Sequence, residues 1–160
     1  DVSNWRLVQA KSAVTYVIPA GTVIPANGYL IVARNATKAA FEAFWRAGAA
    51  LASDVVYINT AGALPLINGS ENYTLYNAAG TKVDGATISM PSSAGRSIRR
   101  NDPCAAAGTA SSWTSGVTTT ATPGTGAGPG CAKGPVINEF SDASGTGNYV
   151  YEFVELHNDR

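Results

Sequence analysis

Pro135-Val136-Ile137-Asn138-Glu139-Phe140 and, past a short polar turn, Tyr151-Glu152-Phe153-Val154-Glu155-Leu156-His157-Asn158 stand at the end of this chain, while Asp1-Val2-Ser3-Asn4-Trp5-Arg6-Leu7 stands at its start. Val136–Phe140 and Tyr149–Leu156 read as the last two strands of the chain. Set in front of Asp1, they make one uninterrupted series of strands and turns. The pair reads as a hairpin at the far end of the chain.

Working outward from it, short apolar runs recur between turn residues. Asn4–Gln9 places Trp5 and Leu7 on one face. Val14–Ile18 is β-branched and aromatic and stops at Pro19. Tyr29–Arg34 follows Asn27-Gly28, a strong turn signal. Val55–Ile58 is a continuous run of the buried type. Tyr73–Tyr76 and Lys82–Val83 flank Asn77-Ala78-Ala79-Gly80, which reads as a hairpin turn, and Ser97-Ile98-Arg99 is a weaker strand. Gly28 and Gly80 are expected to supply the turn geometry. Many short strands at near-regular spacing point to an all-β sandwich with one short α-helix. The helix is Thr37–Gly48, with a threonine cap, a glycine stop, and Phe41, Phe44 and Trp45 on one side. It is expected to cover an end of the sandwich.

Three segments follow: a body over 1–100, a Gly/Thr/Ser/Pro-rich linker over 101–134, and the hairpin over 135–160. Trp113 is expected to pin the linker to the body.

Composition narrows the class of protein. Apolar residues make up 45% of the 160, enough for a sizeable core, while charged residues make up only 14%, well under the usual quarter. The formal net charge is zero, so nothing steers the chain toward nucleic acid or an anionic membrane surface. No apolar stretch approaches the length of a transmembrane helix. Asp1 is expected to be a processing product or a boundary. Cys104 and Cys131 are the sole cysteines and favour one disulfide in an oxidising compartment, secreted or at the cell surface. Such a bond stabilises by about 3–4 kcal/mol in the chain-entropy account.

Taken in rotated order, the motifs resemble those of the lamin-tail domain family. Ile137-Asn138-Glu139 resembles its first strand and Glu152-Phe153-Val154-Glu155-Leu156-His157-Asn158 its second. Val2–Leu7 is similar to the segment that follows, and Pro19-Ala20-Gly21-Thr22 through Gly28-Tyr29-Leu30-Ile31-Val32 to the next. Thr74–Asp84, Gly95–Arg100, Trp113-Thr114-Ser115 and Thr122-Pro123-Gly124 resemble the remaining pieces. The resemblance implies an immunoglobulin-like β-sandwich whose opening hairpin is displaced to the far end of the chain, acting as a non-catalytic extracellular building block. Its hairpin (Val136, Ile137, Phe140, Tyr149, Tyr151, Phe153, Val154 and Leu156) must fill a slot in its own body or in a neighbour's. A head-to-tail exchange that does not close gives a filament of copies of the chain. The same order also suits a permuted monomer or a piece of a tandem array.

Other chemistry is sparse. Glu139, Glu152 and Glu155 sit among apolar residues and are expected to pair with Arg6, Arg96, Arg99 or Arg100. His157 is the only histidine, so a zinc site and a Ser-His-Asp triad are not expected; Gly95-Arg96-Ser97 lacks the second glycine of a nucleophile elbow. Gly124–Gly128 lacks the strand and helix that a phosphate loop needs. No cofactor is expected. Ca²⁺ has only a weak case, at Asp142–Asn148 or at Asp159 with Asp1 and Asp54. Sequons at Asn35, Asn68 and Asn72 and the threonines of 118–122 would permit glycans. A rival reading is an accessory module that binds carbohydrate or protein, using Trp45, Trp113 or exposed tyrosines as platforms.

Overall fold

A computed structural model describes residues 1–12, 14–68, 71–90, 96–114, 120–127, 130–143 and 145–160. The strands are β1 Arg6–Gln9, β2 Thr15–Val17, β3 Tyr29–Ala33, β4 Val56–Asn59, β5 Tyr73–Tyr76, β6 Lys82–Gly85, β7 Ile98–Arg100, β8 Trp113–Thr114, β9 Pro135–Ser141 and β10 Phe153–Asn158, with helix α1 at Lys38–Arg46. One sheet has the order β2-β1-β5-β6 and the other β4-β3-β10-β9-β7-β8. This is an all-β sandwich with one short helix.

Alternation along the strands builds two cores from one sheet. In β3, Leu30 and Val32 face the four-stranded sheet and join Leu7, Tyr73, Leu75, Phe140, Val154 and Leu156. Ile31 and Ala33 point the other way and meet Phe41, Leu51, Val55 and Phe153. The helix therefore covers the outer face of the six-stranded sheet, not an end of the sandwich. The reason is connectivity. β3 and β4 are parallel neighbours, Leu30 opposite Val56, and a parallel pair needs a crossover over a sheet face. Thr37 caps the helix by accepting the Ala40 amide, and the stop begins one residue before Gly48, with Ala47 in the left-handed region at φ 51°.

Turn chemistry differs at Gly28. The left-handed residue of that turn is Asn27, at φ 55°. Gly28 is small because a Cβ there would sit 3.0 Å from Pro25. Gly80 does take a positive φ of 83°.

Asp1 and Arg160 line one cavity of about 340 Å³ together with Trp5 and Asn158. Backbone bonds tie both segments to the loop before β3: Val2 N–H donates to Thr22 and Asn27 N–H to the Arg160 carbonyl. The two ends of the described chain thus meet at the same cavity and the same loop.

Candidate functional site: the hairpin slot

The β9–β10 hairpin lies in the middle of the six-stranded sheet, between β3 and β7 of the same chain. β10 runs antiparallel to β3, with Val154 opposite Val32 and Leu156 opposite Leu30. β9 pairs with β7 through Ile98–Phe140 and Arg99–Glu139. Of the eight expected contact residues, Val136, Ile137, Phe140, Phe153, Val154 and Leu156 are buried. Tyr151 is half-buried and stacks on Phe44 with ring centroids 4.2 Å apart. Tyr149 is a correction. It is 51% exposed and lies, with Tyr151, in a 3₁₀ turn over Asn148–Tyr151 that precedes the strand. Turn residues Gly145 to Gly147 lead the chain in too tightly for the strand to start at Tyr149.

A register shift in β9–β10 puts two polar residues where an alternating strand would put one. Glu155 faces Glu139 and Leu156 faces Ile137, leaving Asn138 as the extra residue of a bulge. Asn138 donates to Glu155 Oε1 at 2.7 Å, while Gly124 N–H donates to Oε2 at 2.5 Å. The Thr122 amide and hydroxyl reach the two oxygens of Glu139 at 2.8 and 3.0 Å. Both glutamates are fully buried. Three of the expected arginine partners are elsewhere: Arg6 lies over Tyr76, Arg96 bonds Thr120 and Arg100 pairs with Asp84, while Arg99 stands opposite Glu139, bonds Thr122 and favours the Glu139 charge. Glu152 instead has Arg34 at 3.8 Å and accepts the Ile67 amide. The direct hydrogen bonds to the Glu139–Glu155 pair come from neutral donors, Thr122 and Gly124 of the loop and Asn138 of β9.

Burial raises the Glu139 carboxyl, against the pull of Ser97, Thr122 and Arg99; burial and then the Glu139 charge push Glu155 well up. Burial also lifts Glu152, to about 7. Carboxyls raised in the folded state stabilise most while protonated, so stability falls as pH climbs from their ordinary 4.5. His157, lowered by burial, acts in the opposite sense below its ordinary 6.5. A Glu155→Gln comparison leaves that histidine in place. The wild-type melting temperature minus that of the variant is expected to shrink by several degrees between pH 4.5 and 8, measured by calorimetry; a flat difference would remove the carboxyl pair as its source.

The described residues of 101–134 are woven into this site. Trp113–Thr114 form an edge strand beside β7, and Trp113 is buried with its indole N–H on the Ala107 carbonyl at 2.7 Å. The pinning role is where it was expected. Trp45 is half-buried and donates to Tyr151 O at 2.9 Å. Both indoles are therefore occupied by packing, which weakens their use as stacking platforms. Arg100, 1% exposed, was not foreseen as the central cation. It pairs with Asp84 at 2.6 Å and lies over the Trp113 ring, and Asp84 also accepts the Ile137 amide.

Cys104 is exposed and Cys131 half-buried, and the two side chains lie close enough to act on each other. Asp159 accepts the Cys131 and Gly134 amides at 3.0 and 2.6 Å, so its oxygens serve the hairpin rather than an ion. Among the described residues no group of three or more His, Cys, Asp or Glu is placed to hold a metal. Of the sequons, Asn35 is exposed, and Asn72 is half-buried with its amide on Thr87. Asn68 is exposed, but the rest of its sequon, Gly69-Ser70, lies outside the described residues, as do Gly95, Ser115, Thr118, Thr119, Gly128 and Ser144.

No family model matches the chain, and neither a curated protein nor a solved structure matches it.

Proposed function

We propose that this chain is a non-catalytic extracellular structural module of lamin-tail type. Copies of it associate by exchanging the β9–β10 hairpin, and an exchange that does not close builds a filament. The observation that carries the reading is the hairpin's position. It is held between two body strands and supplies side chains to both cores, so without it the body has an open slot with unpaired strand edges. The same contacts can be made by the hairpin of a second copy, which makes exchange between copies cheap in free energy once the hairpin has left its slot. Low charge, a surface of small polar residues and the two cysteines support a secreted setting.

The test is light scattering coupled to gel filtration, on protein kept reduced and refolded at increasing concentration. Species larger than the monomer are expected to grow with concentration and to persist on dilution. A single monomeric mass up to millimolar protein would sink the exchange.

A further inference from the structure

We propose that Cys104 and Cys131 are a covalent clasp that fixes whichever hairpin occupies the slot, so that oxidation seals a monomer when the hairpin is its own and joins copies covalently when it is a neighbour's. The proposal rests on the exchange reading for its second arm only.

The geometry begins with the two backbones. Cys104 sits in a turn held by Asp102, whose carboxylate accepts the Cys104 amide at 2.9 Å and that of Ala105 at 3.1 Å. That turn is bolted to the buried Arg100, which donates to the Asp102 carbonyl at 3.3 Å and the Ala105 carbonyl at 2.8 Å. Cys104 therefore belongs to the body. Cys131 belongs to the hairpin, because Asp159, the residue after β10, accepts its amide and that of Gly134. Lys133 donates to the Cys104 carbonyl across the gap. Each thiol thus rides on a fixed backbone, and one comes from each side of the slot.

What a bond here does to the hairpin follows from reach. From Thr114 to Pro135 the chain runs 21 residue steps, on the order of 70 Å when extended. That is enough to carry the hairpin to a neighbour. From Cys131 it runs four steps, about 14 Å. Once its own Cys131 is bonded to its own Cys104, the hairpin cannot leave. If a neighbour's hairpin fills the slot, the neighbour's Cys131 meets this body's Cys104, and the same bond joins two chains.

The reaction is thiol–disulfide exchange with a small disulfide. Exposed Cys104 takes one half of the reagent, releasing the other half as a thiol. Cys131 then attacks that mixed disulfide, loses its proton and releases the second half. Burial, with Cys104 and Asp159 beside it, raises the Cys131 thiol to about 11, which makes the second step the slower one and faster at alkaline pH.

Protein prepared reduced at low and at high concentration would be treated with oxidised glutathione, then read by intact mass, peptide mapping and non-reducing electrophoresis. The expected result is a Cys104–Cys131 bond: a monomer from dilute protein, and from concentrated protein a ladder that collapses on reduction. Cys104→Ser abolishes both. Glutathione left on Cys104 with Cys131 still a thiol would overturn the clasp. A complete bond with only monomer at every concentration upholds the clasp and overturns the exchange instead.

Discussion

Arg100→Ala is expected to lower stability by about 3–5 kcal/mol, the scale for removing one member of a buried ion pair. In a chain of this size the melting temperature should fall on the order of 10 °C. The reason is that Arg100 joins three elements. It leaves β7, pairs with Asp84 of β6 in the opposite sheet at 2.6 Å, and donates to the Ile137 carbonyl of β9 at 3.3 Å. Asp84 in turn accepts the Ile137 amide at 2.9 Å. Removing the guanidinium leaves a largely buried carboxylate without its cation and takes the cover from the Trp113 ring. The check is a double-mutant cycle with Asp84→Ala, followed by calorimetry. The double variant should lose markedly less than the sum of the singles. Additive losses would mean that Arg100 acts through its carbonyl contacts alone.

This bolt also shows where reading the sequence stops. The strands, the helix and the buried hairpin are legible because apolar periodicity and turn residues report local structure. Phe140, Phe153, Val154 and Leu156 could be assigned to the core from their spacing alone. Tyr149 could not be excluded from the strand, since an aromatic residue next to Val150 and Tyr151 has the composition of one; the turn that exposes it depends on Gly145 and Gly147. The carboxylates stand out as anomalies and Arg99 is a visible neighbour for Glu139, but the direct hydrogen-bond donors are not legible. Glu139 and Glu155 meet backbone amides of a loop that carries no apolar pattern, and the bulge at Asn138 that aligns them breaks alternation without a proline or glycine to signal it. Arg34, Arg99 and Arg100 look alike in sequence; only the packing of two sheets makes Arg100 the buried one. In the same way the linker composition of 101–134 gave no sign that Thr122 and Gly124 would close over the sheet.

Phe140→Ala separates the strength of the hairpin's grip from the choice of whose hairpin is gripped. Phe140 is fully buried, with Tyr73 and Trp113 edge-on to it at centroid distances of 5.3 and 5.6 Å. Truncation removes contacts with both sheets and leaves a cavity, a loss of about 3–5 kcal/mol. The melting temperature is expected to fall on the order of 10 °C. The oligomer distribution is expected not to move. A hairpin in its own slot and a hairpin in a neighbour's slot make the same Phe140 contacts, so the loss cancels between the two. The rate of exchange does not cancel, because the hairpin must first leave the slot. A weakening of about 3 kcal/mol is close to a hundredfold, at 1.4 kcal/mol per decade, and exchange between two isotopically labelled populations, followed by mass spectrometry under reducing conditions, should accelerate by up to that factor. An unchanged rate beside the lower melting temperature would mean that the hairpin does not leave its slot before global unfolding, and copies could then associate only during folding.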